Sequence, residues 1–500
     1  MFNAAIQTST GPMLSDRHTA IWSNPMFLAA ATVAVLFLSE FRWGMSWLGI
    51  LVPVLLLRFL RVSQSPKALL QVLGILIVGY TLAIAKIATH PIPIASSPMF
   101  GVPIGLMHFC TYTFYHLIRN HVKGPAAILL FPVAGTVFQW SIAALTPFSS
   151  WGVSAYLFID NLPLAQSLSI FGMAGLNFMF LWFAVCIESF LSRDWHRSTG
   201  VQLSLLLSIY LGLFAWGNWR LDQPLAGKWE SAAAIKTDWH VSQGFLSQAE
   251  QDDLFSELAD RSRRAALAGA RVVVWTEAST MVRPENEAEL VEKLQALARE
   301  NNIHLVAAYA APVTEEPLTY ENKYLWISAD GIVQQDYLKR HPVPGEPAVK
   351  GEWMPDPTVS PMGLSSGAIC FDFDFPEEAL ARAAMGADFV ALPSSDWKGI
   401  DPIHSQMAAF RSIEGGFSTL RSTNLGLSVG INPYGQILSR MDHFDHSSGI
   451  MLVQLPVNGV TTLYSQIGDL PVYICIAIIL LTGISTLWSS GVRRREQAID

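Results

Sequence analysis

Charged side chains are scarce in this sequence. Lys, Arg, Asp and Glu make up 14% of its 500 residues, and hydrophobic residues make up 51%, whereas soluble domains carry about 25% charged residues. Much of the chain must therefore face lipid or the protein interior. The formal net charge of −8 leaves no excess of basic residues to neutralise phosphates, which argues against a nucleic-acid-binding protein.

Cysteine is also rare, with four residues in the chain. Cys110, Cys186 and Cys475 lie in long apolar runs, and Cys370 alone lies in a segment of ordinary polarity. This distribution argues against a disulfide framework. Because no Cys-x-x-Cys motif or Cys/His cluster with zinc spacing occurs, we expect neither a metal nor another cofactor.

Apolar runs of a length that can cross a bilayer, about 20 residues with allowance for tilt, recur through the first half of the sequence. The polar segment 1–25 before them does not resemble a signal peptide. The first two runs are short, and the last lies near the end of the chain. The predicted spans are Met26–Phe41, Met45–Leu60, Ala68–Ala88, Met99–Ile118, Pro125–Leu145, Leu164–Leu191, Val201–Trp216 and Leu470–Ser489.

Basic residues occur in alternate loops between these runs, with Arg42 and Lys86 as exceptions. They are Arg58, Arg61, Lys67, Arg119, Lys123, Arg193, Arg197 and the tail Arg493–Arg495. Because basic loops stay in the cytoplasm, the seventh span must exit outward. We therefore predict an N-terminal bundle of seven spans at residues 1–219, an extracytoplasmic domain at 220–466, and a final span with a basic cytoplasmic tail at 467–500.

The segment 220–466 alternates short apolar strands with amphipathic helices, which is typical of an α/β layered domain. The predicted strands are Ala232–Ile235, Arg271–Trp275, His304–Tyr309, Gly331–Asp336, Gly367–Cys370, Phe389–Leu392 and Met451–Leu455. The predicted helices are Ala249–Ala268, Glu287–Glu300, Pro376–Met385 and His404–Glu414.

Three reactive side chains follow predicted strands of this domain: Glu277, Lys339 and Cys370. Side chains at the carboxyl ends of strands gather in the active sites of α/β folds. We expect backbone N–H groups at the strand-to-helix turn to lower the pKa of the Cys370 thiol. Taken singly, each residue has a structural explanation, since a lone cysteine after an apolar strand is more often a small buried side chain than a nucleophile.

Together and in this order, the three segments resemble the catalytic blocks of the nitrilase (carbon–nitrogen hydrolase) superfamily. Further matching segments are Phe375-Pro376-Glu377, Gly386-Ala387-Asp388, Leu392-Pro393-Ser394, Arg411–Glu414 and Arg421–Ser428. The order of spans, domain and last span is similar to that of the apolipoprotein N-acyltransferases, the membrane branch of this superfamily. The resemblance implies an α-helical membrane bundle of about eight transmembrane helices plus an α/β nitrilase-like αββα sandwich domain.

The resemblance also implies a reaction, an acyl transfer at the outer face of a bacterial cytoplasmic membrane. A phospholipid would donate the acyl group, and the N-terminal diacylglyceryl-cysteine of a lipoprotein would accept it. Cys370 would be the nucleophile, Glu277 the general base and Lys339 the group that stabilises the oxyanion. The residues expected to bind substrate or support these three are Glu346, Phe371, Asp372, Trp397 and Asn424. Trp353, Met354 and Trp397 would form either apolar lids at the bilayer surface or ordinary packing contacts.

Some segments depart from the family pattern. Phe371-Asp372 stand where Tyr-Glu usually follows the cysteine, and the block His341–Glu346 is one residue short. The substrate is therefore less well determined than the reaction class. Three alternatives stay open: a membrane-tethered amidase or nitrilase acting on a small amide, an acyltransferase with another amine acceptor, and a non-catalytic binding or assembly protein.

The polar cluster of Asp442, His443, Asp445 and His446 is interpreted as a solvated turn rather than a metal site.

Overall fold

The computed structural model describes residues 22–122, 126–192, 197–244, 246–445 and 449–496. Of the residues used in the predictions above, 1–21, 497–500, Lys123, Pro125, Arg193 and His446 lie outside these ranges. The first part of the chain is helical, the middle part combines strands and helices, and the last part is one long helix.

Apolar helices dominate the described residues before the first strand and after the last one. The N-terminal helices are α1 (Pro25–Ser39), α2 (Leu51–Val62), α3 (Ala68–Ala85), α4 (Ser97–Ile118), α5 (Ala126–Leu145), α6 (Leu162–Ala165), α7 (Leu168–Leu191) and α8 (Arg197–Leu221). The second predicted span, Met45–Leu60, is divided into a helical turn at Ser46–Ile50 and helix α2. Asn24 begins α1, because its side chain accepts a hydrogen bond of 2.9 Å from the backbone N–H of Met26.

Four of the described helices are long and apolar enough to span a membrane. They cover Ala68–Ala85, Ala127–Leu145, Leu168–Leu191 and Ser198–Leu221, and the shorter apolar helices are Pro25–Ser39 and Leu470–Thr486. The predicted spans therefore coincide with helices, but length and composition support four of them directly. The count of about eight spans stays a prediction.

The middle of the chain contains two six-stranded sheets. The first has the order β12-β1-β2-β3-β4-β5 and the second the order β11-β10-β9-β8-β7-β6. The strands are β1 (Trp229–Ile235), β2 (Val272–Trp275), β3 (His304–Glu315), β4 (Leu318–Ile327), β5 (Val333–Leu338), β6 (Thr358–Ser360), β7 (Gly363–Gly367), β8 (Phe389–Ser395), β9 (Ser418–Asn424), β10 (Leu427–Ile431), β11 (Ile437–Asp442) and β12 (Ile450–Pro456). Strands β1, β2 and β3 are mutually parallel, as are β7, β8 and β9.

Helices cover the outer faces of both sheets. The remaining helices are α9 (Gln248–Leu267), α10 (Glu287–Asn301), α11 (Pro376–Ala384), α12 (Ile403–Gly415), α13 (Leu463–Ile467) and α14 (Leu470–Glu496). Val272 and Val274 of the first sheet share a buried core with Phe389 and Ala391 of the second. Helices α9 and α10 pack against the first sheet, and α11 and α12 pack against the second. The prediction of an αββα sandwich is therefore confirmed.

Helix α12 joins the sandwich to the bundle. Its Ala408 and Ala409 pack on the second sheet. Its Met407, Phe410 and Ile413 belong instead to a core that includes Leu28, Val72, Ile104, Leu176 and many other bundle side chains. Both sides of α12 are therefore covered, and the bundle and the sandwich share one apolar core.

Candidate active site

The structure brings the three reactive side chains to one pocket. Glu277 follows β2, Lys339 follows β5, and Cys370 lies just beyond β7. All three line a pocket of about 400 Å³. They are 5%, 2% and 4% exposed, respectively. The carboxyl ends of three strands thus place a carboxylate, an ammonium group and a thiol in one shielded space.

Lys339 lies between two carboxylates. Its Nζ donates to Glu277 Oε1 at 2.8 Å and to Glu346 Oε2 at 2.8 Å. Burial alone would lower the pKa of this ammonium group, but the two carboxylates outweigh burial and hold the pKa well above its ordinary value. The lysine is therefore a permanent cation in the pocket.

Asn322, on the unpredicted strand β4, holds the same two carboxylates. Its Nδ2 donates to Glu277 Oε1 at 2.8 Å and to Glu346 Oε1 at 3.1 Å. The backbone N–H of Val343 also donates to Glu346 Oε2 at 2.9 Å. Although the block His341–Glu346 is one residue short, Glu346 therefore lies within hydrogen-bond distance of the lysine.

Cys370 begins a short helical turn, Cys370–Asp374, with a positive φ of 45°. The predicted strand Gly367–Cys370 was placed too late, since β7 ends at Gly367. The thiol Sγ donates to the Ser395 carbonyl at 3.5 Å. Burial and the Glu277 carboxylate raise the pKa of the thiol well above its ordinary value, despite the opposing effect of Lys339. The expected lowering of this pKa was wrong, and the thiol needs a base to take its proton.

Asp372 supports the site from behind. Its Oδ1 accepts from the backbone N–H groups of Arg340 at 3.1 Å and His341 at 2.7 Å, and its Oδ2 accepts from Tyr337 Oη at 2.8 Å. Burial and the neighbouring Glu378 raise the pKa of Asp372 to about 6. The carboxyl group therefore connects the lysine segment to the cysteine turn and does not line the pocket.

The other three predicted residues have different surroundings. Phe371 lines the pocket and packs edge-on against Phe375. Trp397 lines the pocket as well, and its indole N–H donates to the Ile87 carbonyl of the bundle at 2.7 Å. Asn424 instead donates to the Trp239 carbonyl at 2.7 Å, outside the pocket. Trp397 therefore packs against the bundle in this structure, and its role as an apolar lid stays a prediction.

The chain is similar in sequence to known proteins. Residues 231–463 match the carbon-nitrogen hydrolase family model. These residues form a carbon–nitrogen hydrolase domain. The chain is also similar to the apolipoprotein N-acyltransferases of Bradyrhizobium diazoefficiens and Geobacter metallireducens, with 25% identity to each. The alignments cover 77% of this chain and 78% of the first relative, and 73% and 75% for the second. A solved structure of an amidase from Nesterenkonia sp. AN1 aligns with 49% of this chain and 98% of its own, at 22% identity and a TM-score of 0.40.

A charged cluster of the carbon–nitrogen hydrolase domain was missed in the sequence. His404 Nδ1 bonds to Asp396 Oδ1 at 2.7 Å, and its Nε2 bonds to Asp374 Oδ1 at 2.8 Å. Arg421 binds Asp396 through both terminal nitrogens, at 2.8 and 3.0 Å. Despite burial, the two carboxylates raise the pKa of His404 to about 9. The one sequence feature that could have indicated this cluster is the position of Asp396 shortly after the predicted strand Phe389–Leu392.

Donor atoms of Cys370, Asp396 and His404 lie within 4.8 Å of one another. Such a group has the residue types of a metal site. Both imidazole nitrogens of His404 already bond to carboxylates, however, and the Asp396 carboxylate already forms an ion pair with Arg421. A metal ion would have to displace these ion pairs, so the donor set fits an internal salt bridge better than a cation.

Bundle residues form the apolar wall of the pocket. The loop between α3 and α4 and the helix ends beside it contribute this wall, which includes Ile84, Ile87, Pro91, Ile92, Pro93, Met99 and Phe100. Other parts of the lining carry polar side chains of the carbon–nitrogen hydrolase domain. One space therefore combines the Glu277, Lys339 and Cys370 side chains with an apolar surface.

Gly399→Ala should disturb the contact between the loop that carries Trp397 and the apolar wall of the bundle. A Cβ atom at Gly399 would lie 1.8 Å from the Ile87 carbonyl oxygen, the same atom that accepts from Trp397. We expect a loss of about 1–3 kcal/mol of stability from this overpacking, and a drop in acyl-enzyme formation because the Trp397 loop must move. Thermal unfolding in detergent and a single-turnover assay would measure the two effects.

Gly212→Ala is the matched control, because no atom of the described residues, apart from the neighbouring backbone of α8 itself, lies within 4 Å of the Cβ position at Gly212. This variant should retain the stability and the rate of the unmodified protein. Equal behaviour of the two variants would show that the close contact at Gly399 does not hold the loop.

Proposed function

We propose that this chain transfers a fatty acyl group from a phospholipid to the N-terminal amine of a lipidated lipoprotein, through a thioester on Cys370. The observation that carries the proposal is the pocket, where the Glu277, Lys339 and Cys370 side chains face an apolar wall of the bundle. A phospholipid matches this combination, since its ester needs a nucleophile and its chains need an apolar surface. The names of the similar proteins support the same substrates.

In the first half-reaction, Cys370 Sγ attacks the carbonyl carbon of the lipid ester while Glu277 takes the thiol proton. The high pKa of the buried thiol requires this proton to leave as the C–S bond forms. The ammonium group of Lys339, a cation held by two carboxylates, stabilises the tetrahedral oxyanion. The C–O bond then breaks, Glu277 returns the proton to the leaving oxygen, and a lysophospholipid departs.

In the second half-reaction, the amine of the lipoprotein attacks the thioester carbonyl. Glu277 takes a proton from the attacking nitrogen, and Lys339 again stabilises the oxyanion. The C–S bond breaks to release an amide, and the sulfur regains its proton from Glu277. Near-complete burial of the three side chains keeps water away from the thioester between the two steps.

The proposed architecture places this pocket at the outer surface of the bacterial cytoplasmic membrane. Residues 1–219 form a bundle of seven spans, residues 220–466 the extracytoplasmic catalytic domain, and residues 467–500 a last span with a cytoplasmic tail. The alternation of basic loops supports this orientation. The contact of α12 with both the bundle and the second sheet supports a catalytic domain seated on the membrane.

Mass spectrometry tests the function directly. The purified protein is incubated with a phospholipid that carries an isotope-labelled acyl chain, and the peptide containing Cys370 is analysed. A labelled thioester that disappears when a diacylglyceryl-cysteine peptide is added, with labelled amide formed in equal amount, is the expected result. Turnover of small amides without lipid labelling would assign the chain to the amidases instead. No adduct and no turnover would indicate a binding protein.

A further inference from the structure

The charged cluster around His404 connects the two backbone segments that flank the thiol. Asp374, which binds His404 Nε2, ends the turn that Cys370 begins. Asp396, which binds His404 Nδ1, directly follows Ser395, whose carbonyl accepts the thiol of Cys370. The imidazole ring therefore bridges the segment that carries the sulfur and the segment that receives its hydrogen bond.

The same cluster reaches the bundle. The second carboxylate oxygen of Asp374 accepts from the indole N–H of Trp151 at 2.7 Å. The Asp374 carbonyl accepts from the backbone N–H of Ser150 at 3.3 Å. The turn that carries the nucleophile is therefore held by a bundle loop on one side and by His404 on the other.

Charge and shape both favour histidine at this position. Asp374, Asp396, His404 and Arg421 are 2%, 3%, 4% and 1% exposed, so two carboxylates and two cations balance within the protein. An imidazolium donates from two opposed N–H groups in one rigid plane, whereas a lysine ammonium would be a point charge on a flexible chain. In some proteins, buried polar or ionic groups specify one geometry.

We propose that His404 is a positioning residue for the proposed acyl transfer, which fixes residues 370–374 and 395–396 relative to each other and so aims the Cys370 thiol. The inference rests on the proposed function, because its readout is thioester formation. His404 itself bonds to no substrate atom in this proposal. A displacement of about 1 Å at a reacting group can reduce a rate by about 100-fold, which is the effect expected when the bridge is lost.

The first test compares His404→Gln with the unmodified protein. Glutamine removes the charge and cannot span both carboxylates. We expect the rate of thioester formation at saturating phospholipid to fall by about 100-fold, while the KM for phospholipid changes by less than about threefold because the apolar wall is untouched. His304→Gln is the matched control, since His304 lies outside the pocket and accepts from Trp326 Nε1 at 3.3 Å; it should keep the normal rate.

The second test uses pH and does not require His404→Gln to fold. Four groups in or beside the cluster face His404: Asp374, Asp396, Arg421 and the Cys370 thiol. On the bundle side, Tyr156 bonds to Ser150 beside Asp374. His404 is an imidazolium below its pKa of about 9, so thioester formation should decline as the pH rises through that value. Lys339, with a pKa well above its ordinary value, titrates at higher pH.

Asp374→Asn removes one of the two carboxylates that hold the proton on His404. The alkaline midpoint of thioester formation should then move down by about one pH unit or more. The proposal is overturned if His404→Gln keeps the normal rate, if its KM rises in proportion to its loss of rate, or if Asp374→Asn keeps the normal midpoint. Should His404→Gln not fold, the Asp374→Asn midpoint alone decides. Failure of the unmodified protein to form a thioester would instead refute the proposed function.

Discussion

Cys370→Ala should eliminate the acyl-enzyme and reduce acyl transfer by about 10⁴-fold or more, because the sulfur is the atom that forms and breaks the bond to the acyl group. Among the described residues, Cys370 is the one cysteine that lines the pocket. The side chain makes one weak hydrogen bond, to Ser395 at 3.5 Å, so the folded state should survive the change. Intact-protein mass spectrometry with labelled phospholipid measures the adduct, and thermal unfolding measures the stability.

Cys186→Ala is the matched control. Cys186 is also buried but lies in α7, away from the pocket. It should therefore form the thioester at the normal rate. A labelled adduct in Cys370→Ala protein, on any other residue, would show that the nucleophile has been assigned wrongly.

Glu277→Gln should lower the rate of both half-reactions by about 10²–10⁴-fold, the usual contribution of general acid–base catalysis. The amide keeps the size of the carboxylate and can still accept from Asn322 and Lys339, but it cannot take the proton of a thiol whose pKa is raised. Because the same group serves both halves, thioester formation and thioester aminolysis should slow together. Stopped single-turnover reactions with phospholipid, followed by addition of the amine, separate the two rates.

Glu287→Gln provides the matched control for this substitution. Glu287 also pairs with a lysine, Lys323, at 3.0 Å, and it accepts from Tyr309 as well. It lies outside the pocket, so both half-reactions should continue at the normal rates. If Glu277→Gln slowed only one half-reaction, a second proton carrier would have to exist.

Much of the fold could be predicted because apolar patterns reflect burial directly. The long runs mark the helices of the bundle, and Val272–Trp275 is apolar throughout because it lies at the centre of a sheet. Strand β9 was missed because Ser418–Asn424 reads as a polar segment, although every residue in it is buried. Its polar groups are satisfied by partners outside the strand, such as Asp396 for Arg421 and Ser412 for Thr419. Composition alone cannot show such partners.

Some residues of the site could likewise be predicted from the sequence, and others could not. Glu277, Lys339 and Cys370 could be found because each follows a strand within a short, ordered segment. The role of His404 could not, since its bridge depends on Asp374, and Asp374 in turn bonds to Trp151 at a distance of 223 residues in the sequence. The direction of the thiol pKa was wrong for a related reason, because the burial that raises it depends on the full three-dimensional packing around the pocket.

The core shared by α12 and the bundle has a consequence for handling the protein in pieces. Met407, Phe410 and Ile413 of α12, together with Phe371 beside the nucleophile, are covered by side chains of the N-terminal helices. A fragment cut out at residues 220–466 would present these residues to water, next to its own reactive centre. Such a fragment should aggregate during expression or refold with a distorted cysteine turn. The full chain in detergent should remain soluble and keep the cysteine turn intact. The amphiphile that solubilises the bundle is thus also what preserves the chemistry.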